Sequence, residues 1–270
     1  MQKIISGLLC LVLLLCLSGC ERVPFTGRNR AALIPESQLI QLGDQSYREV
    51  LQESKTSNDP EKNAMVRRVG ARLSMAVESF ASEHNLKDEL KLYKWEFNLL
   101  QNDKVINAFC LPGGKVAVYT GILPITEDET GLAVVVGHEI AHAIAQHGNE
   151  RMSQQLLLQL GSVVLSEVIK NNPQQTKQIF MAAYGVGAEL GVVLPYSRTQ
   201  ESEADRIGLI LMSRAGYDVE AAIPFWQRMK EKGGTTPPEF LSTHPAPDTR
   251  IKDIKKDIPE AKTYYQSQQK

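Results

Sequence analysis

The sequence predicts a mainly helical α+β fold in which one small antiparallel sheet is set among packing helices. Three observations carry this reading. Apolar residues recur at helical spacing through residues 36–54 and 61–84. Residues 90–120 change to the two-residue alternation of strands, interrupted by turn signals. A further long apolar helix then carries three of the chain's five histidines, in "GHEIAHAIAQHG" at 137–148. At 270 residues and 43% hydrophobic content, the chain can bury a large core around these elements. A formal net charge of −1, with no arginine-rich or aromatic-basic stripe, leaves no field for a phosphate backbone, so no nucleic-acid partner is expected.

The first segment is of another kind. Lys3, the apolar run "GLLCLVLLLCL" and "LSGC" ending at Cys20 predict a signal peptide over 1–19, too short to serve as a mature membrane span. "LSGC" resembles the lipobox of bacterial lipoproteins, which implies that Cys20 is lipidated and anchors the chain to a membrane. Glu21, in place of an aspartate, points to the outer membrane, with the protein facing the periplasm. Residues 20–35 read as a lipidated, extended tether, because "ERVPFTGRNRAALIP" carries prolines and arginines without periodicity. Cys10 and Cys16 leave with the signal, so an intramolecular disulfide is not available, and Cys110 reads as a buried apolar thiol.

The domain proper covers 36–270. Leu39, Leu42, Tyr47 and Val50 form one stripe, and Val66, Val69, Leu73 and Val77 another. "LKLYKWEFNLL", "KVINAFCL" and "KVAVYTGIL", separated by "QND" and "PGG", predict the strands. Thr126 with Glu129 has the form of a capping box and Gly148 is placed to stop the helix, which predicts one helix over 127–147. Helices are also expected at 200–215 and 219–230. Segment 178–194 carries Glu189 and a cluster of small residues, and reads as a buried or site-covering helix in preference to a membrane span.

On a helix, His138 and His142 share a face, so their ring nitrogens can converge on one point. Glu139 sits to the side, where a carboxylate lies next to a metal-bound water and serves as general base. His147, about 180° round the helix from His138, is expected to face away and bind no metal. No charge other than Glu139 occurs from 131 to 149, so the helix is buried, and two neutral imidazoles facing one way in a core call for a ligand. Catalytic zinc takes three protein ligands and keeps one position open. In "QESEADRIG", Glu201 and Asp205 share a face and Glu203 is turned about 200° away. Glu201 can therefore bind the metal and Asp205 orient a ligand histidine, while Glu203 suits a solvated helix start.

"HEIAH" followed by "ESEAD", with "NAFCLPGGKVAVYTGIL" upstream and "STHPAPDTRI" downstream, closely resembles the HtpX-like and CAAX-prenyl-protease family of zinc metallopeptidases, over most of the chain. "PFTGR" and "LGDQSYREVL" resemble its soluble lipoprotein branch in bacterial envelopes. The resemblance implies a gluzincin-like fold, one zinc per chain on His138, His142 and Glu201, and Glu139 as the base. It sets His244 and Arg250 over the active site. His244 there has two uses, as a donor to the developing oxyanion or as a fourth ligand that keeps the enzyme latent; a plain surface histidine is the alternative. "INAFC" is similar to the edge strand of thermolysin-like enzymes, which implies that Asn107 and Ala108 contact the main chain of an extended substrate. The expected activity is endoproteolysis of unfolded or misassembled envelope proteins, and the competing reading is a chaperone-like binding protein with a closed or seldom-used metal site.

Overall fold

A computed structural model of the chain describes residues 20–23, 25–160, 173–186, 196–232, 239–244 and 248–265. The expected signal segment 1–19 and residues 187–194 of the expected covering helix lie outside the described residues. Strands β1 (Cys20–Arg22) and β2 (Asn29–Ala31) are followed by helices α1 (Glu36–Glu53), α2 (Pro60–Glu83) and the single turn α3 (Lys87–Leu90). Next come β3 (Glu96–Leu100), β4 (Ala108–Leu111) and β5 (Lys115–Tyr119), then α4 (Leu123–Thr126), α5 (Glu129–Ile144) and α6 (His147–Leu160). Helices α7 (Pro173–Ala183), α8 (Arg198–Arg214), α9 (Ala222–Lys232), α10 (Glu239–Thr243) and α11 (Asp248–Thr263) follow. The expected mainly helical α+β class holds. No described helix is long and apolar enough to cross a membrane.

Local chemistry accounts for the scaffold. The Asp59 side chain accepts from the backbone N–H groups of Glu61 and Lys62, and Pro60 occupies the first helical position, so α2 starts there. Its stripe Val66, Val69, Leu73 and Val77 is buried, as are Leu39, Tyr47 and Val50 of α1. The Tyr47 hydroxyl donates to the Val116 carbonyl at 2.6 Å, which pins α1 to the sheet.

The sheet is mixed, where an all-antiparallel one was expected. Its order is β3-β5-β4, with β4 antiparallel and β3 parallel to β5. Residues 101–107 carry the chain past the central position, and the turn at Pro112–Gly114 returns β5 into it; Gly113 and Gly114 take φ values of 82° and 81°, which side-chain-bearing residues resist. Alternation along the strands then serves two cores. Ala108, Cys110, Val116 and Val118 belong to the main core with α5, whereas Phe109, Leu111 and Ala117 belong to a smaller one with α1 and α7.

Two further expectations change. Residues 20–35 are no free tether: β1 and β2 form an antiparallel hairpin, Val23 and Ile34 are buried, and Arg30 donates to the Ala145 carbonyl at 2.8 Å. The segment is docked by single apolar residues and by arginine contacts that follow no regular spacing. The expected helix 127–147 is two helices. Asp128, not Thr126, caps α5, accepting from Gly131 N–H at 2.8 Å, while the Thr126 hydroxyl donates to the Leu123 carbonyl. After Ile144 the chain breaks at Gln146, φ 53°, and α6 starts at His147, so Gly148 lies inside a helix and stops none.

Candidate active site

Helices α5 and α8 cross closely because both are bare at the crossing. A Cβ on Gly208 would stand 3.1 Å from the His138 backbone nitrogen, and one on Gly137 would stand 3.3 Å from the Gly208 carbonyl oxygen. Glu201, about two helical turns before Gly208, is thereby brought over the histidine face. His138 Nε2 and His142 Nε2 are 3.0 Å apart, with Glu201 Oε1 3.2 Å from the latter and Oε2 3.6 Å from the former. His244, just after α10, completes the group: its Nδ1 lies 3.2 Å from His138 Nε2 and 2.9 Å from Glu201 Oε1. One ligand atom from each of these four buried residues lies within 4.8 Å of the others.

The electrostatics suit a metal. Burial pushes His138 and His142 well below the ordinary histidine value, helped by Arg250 at the first and by His138 at the second, which favours the unprotonated ring with a free lone pair that a metal needs. Burial alone would raise Glu201, but His244, Arg250 and His138 outweigh it and hold the carboxyl well below the carboxylate range. Two neutral imidazoles and one anion form the donor set of a catalytic zinc. Glu139 is raised well above its usual value, by burial and then by the Glu201 charge, and its Oε1 is buried without a hydrogen-bond partner. That oxygen, 3.4 Å from His244 Nε2 yet without a hydrogen bond and next to the donor set, also fits a site built to take a metal and a reacting group.

Behind His138 stand residues from two helices. Asp205 Oδ1 lies 3.0 Å from His138 Nδ1, and Arg250 on α11 donates to Asp205 at 2.8 and 2.7 Å. The same guanidinium donates to Glu201 Oε2 at 2.6 Å, which leaves Oε1 toward the cluster, and lies 3.4 Å over the Trp226 ring. Burial lifts Asp205 to about 6, with Arg250 opposing.

His147 and Glu203 stand elsewhere than expected. With the helix broken at Gln146, His147 turns back and its Nδ1 lies 2.8 Å from His142 Nδ1, while its Nε2 lies 2.9 Å from Glu203. Glu203 is buried, not solvated, and accepts from Thr26 and from Arg28 Nε. Burial would raise its carboxyl, but His147, Thr26 and Arg28 bring it to about 2. Sequence reasoning also passed over Tyr196, whose ring lies 3.8 Å from that of His142, and Trp226; neither belongs to a motif. Ala108 opens β4, an edge strand of the sheet, and Asn107 precedes it, but both are only 1% accessible. Asn107 Oδ1 accepts from Ala108 N–H at 2.9 Å, and Phe240 N–H of α10 donates to the adjoining Ile106 carbonyl at 3.2 Å. Cys20 opens β1.

Comparison with known proteins places this geometry. Residues 67–258 match the model of peptidase family M48. The mitochondrial metalloendopeptidase OMA1 of Saccharomyces cerevisiae is 30% identical over 254 residues, which cover 91% of this chain and 71% of the relative. That of Schizosaccharomyces pombe is 39% identical over 170 residues, 62% of this chain and 48% of the relative. The beta-barrel assembly-enhancing protease of Escherichia coli is 28% identical over 249 residues, 88% of this chain and 47% of the relative. The chain thus spans about half the length of the last two. The family indicated is the wider M48, not specifically its HtpX-like or CAAX-prenyl-protease members.

These matches overturn the outer-membrane, periplasm-facing location expected from Cys20 and Glu21. Relatives named as mitochondrial match at 30% and 39% identity, above the 28% of the bacterial protease. A short apolar run ending in cysteine specifies no particular bilayer, and that placement is withdrawn. The matched span contains both helices of the donor set, so the chain belongs to peptidase family M48 and is a zinc metalloendopeptidase.

Proposed function

We propose that the protein cuts unfolded or misassembled polypeptides, with His138, His142 and Glu201 holding zinc, Glu139 as general base, and His244 keeping the described arrangement latent. The seat of His244 among the donor atoms, 3.2 Å from His138 Nε2 and 2.9 Å from Glu201 Oε1, carries this reading. When bound, zinc supplies Lewis acidity, polarising a carbonyl oxygen and lowering the pKa of water to about 7. Glu139 Oε1 takes the proton of the attacking water. It later delivers that proton to the leaving amine. Asp205 and Arg250 keep the His138 ring and the Glu201 carboxylate oriented.

Edge strand β4 supplies the substrate side, with Asn107 and Ala108 next to an extended chain. Backbone pairing reads little sequence, which suits unfolded segments. In the described arrangement α10 lies against Ile106, and the same short segment carries His244. Withdrawal of that segment would release the chain entering β4 and the donor cluster together. Lipid attachment at Cys20 belongs to the proposal on the strength of "LSGC", without a compartment; a bare thiol in the mature protein's mass spectrum would remove it.

Peptide mass spectrometry on an unfolded substrate tests the activity. Glu139→Gln should lower turnover by about 10²–10⁴-fold with zinc retained. A variant with unchanged function would favour the chaperone-like reading. His244→Ala should raise basal proteolysis at constant zinc content. A fall would make His244 an oxyanion donor, and no change would remove it from the site.

A further inference from the structure

We propose that His147, held by Glu203 and through it by Arg28 of the N-terminal hairpin, is a positioning residue for the metal ligand His142. The inference rests on the reading of His142 as a ligand through Nε2, the nitrogen that faces Glu201 and His138. A neutral imidazole that keeps its Nε2 lone pair must carry its proton on Nδ1. The atom 2.8 Å from that N–H is His147 Nδ1, which must then accept. His147 in turn carries its own proton on Nε2 and donates it to Glu203 at 2.9 Å. Donor and acceptor follow in one consistent order, with a carboxylate at the far end. Reversing any ring leaves two N–H groups, or two lone pairs, facing each other in a site where His147 is fully buried.

The carboxylate end is locked from outside the two helices. Glu203 accepts from the Thr26 hydroxyl and from Arg28 Nε at 2.7 Å, both in the loop between β1 and β2. The Arg28 Nη atoms reach the two Glu150 oxygens at 3.1 and 3.0 Å, and Gln200 also donates to Glu150 at 2.9 Å. Arg28 thus ties Glu150 on α6, the helix that His147 opens, to Glu203 on α8. Fixing a ligand imidazole through its second nitrogen typically changes metal affinity by about 10–100-fold. The N-terminal hairpin therefore belongs to the support of the metal site.

Zinc dissociation constants of the full chain, measured by chelator competition with apo folding checked by circular dichroism, test the brace. His147→Ala should weaken zinc binding by about 10–100-fold, and Arg28→Ala by a smaller factor. If Arg28 acts through Glu203 and His147, Arg28→Ala should cost nothing further on the His147→Ala background. Wild-type affinity in His147→Ala, or an undiminished Arg28 effect on that background, overturns the proposal. Should the cavity left by His147→Ala prevent folding, Arg28→Ala and Glu203→Ala decide, and wild-type zinc affinity in both overturns it. His142→Ala separates the two readings. Zinc retained there defeats the ligand assignment itself, whereas zinc lost there but kept in His147→Ala defeats only the brace.

Discussion

The two imidazoles that share the α5 face are held from behind by opposite means. His138 backs onto fixed charge: Asp205 at 3.0 Å, ion-paired with an Arg250 that lies under Trp226. His142 backs onto a neutral ring, His147, and meets charge only at Glu203 and Arg28, whose side chain is 25% exposed. One support is sealed within helices α8, α9 and α11, and the other ends at the surface in the N-terminal hairpin. The difference implies that the site has one rigid wall and one whose firmness depends on how the hairpin docks.

The largest contrast should appear on removing the two arginines. Arg250→Ala leaves Glu201 and Asp205 buried without their cation, and loss of one partner in such a pair costs about 3–5 kcal/mol. Arg28→Ala breaks two ion pairs, with Glu203 and Glu150, but at a guanidinium that is 25% exposed and that water can partly replace, so the loss should be smaller than for Arg250→Ala. Urea denaturation of the apo proteins measures both, and equal losses would erase the distinction between the walls.

A smaller effect concerns the metal. Asp205→Ala removes the acceptor behind His138 and should lower zinc affinity by about 10–100-fold, and by more than His147→Ala does behind His142, because its hydrogen bond is charge-assisted. The two zinc titrations, run in parallel, check the order. The reverse order would make the neutral relay the stronger support.

The helical part of the sealed wall was legible in the sequence, though Trp226 was not, and the other wall was not legible at all. His138, His142, Glu201 and Asp205 all lie at i, i+4 spacing within uninterrupted helices, so residue arithmetic gives their faces. The same arithmetic fails at His147, because α5 ends three residues earlier at a break marked by no proline and by a glycine two residues late; the residue that bends is Gln146. Glu203 then looked solvated, since its partner Arg28 is 175 residues distant and belongs to an aperiodic stretch. The sheet shows a related limit: the sequence announces strands within 90–100, 104–111 and 115–123, of which the structure keeps 96–100, 108–111 and 115–119, but it carries no information on which lies in the middle. His244 was recognised as belonging near the site, yet no periodicity could fix the position of a residue after a five-residue helix.

The smallest expected effect sharpens the comparison by pH. Burial would raise Glu150, but hydrogen bonds from Arg28 and Gln200 outweigh it and hold its carboxyl below the ordinary value of 4.5. A carboxyl depressed in the folded state contributes stability that is fully present above its unfolded value and is lost as pH falls through the folded one. Glu150→Gln should therefore be less stable than wild type near neutrality, by less than about 1 kcal/mol for a pair that Arg28 keeps in contact with water. The gap should close as the medium is acidified below the ordinary glutamate range, because wild-type Glu150 then becomes neutral too. Arg206→Gln, which breaks a half-exposed pair with Glu260 that touches neither Glu150 nor Arg28, serves as the control for general acid sensitivity. Denaturation curves taken across that pH range decide the matter: a gap that stays constant would mean that Glu150 acts by packing, and no gap at any pH would mean that Arg28 anchors the hairpin through Glu203 alone.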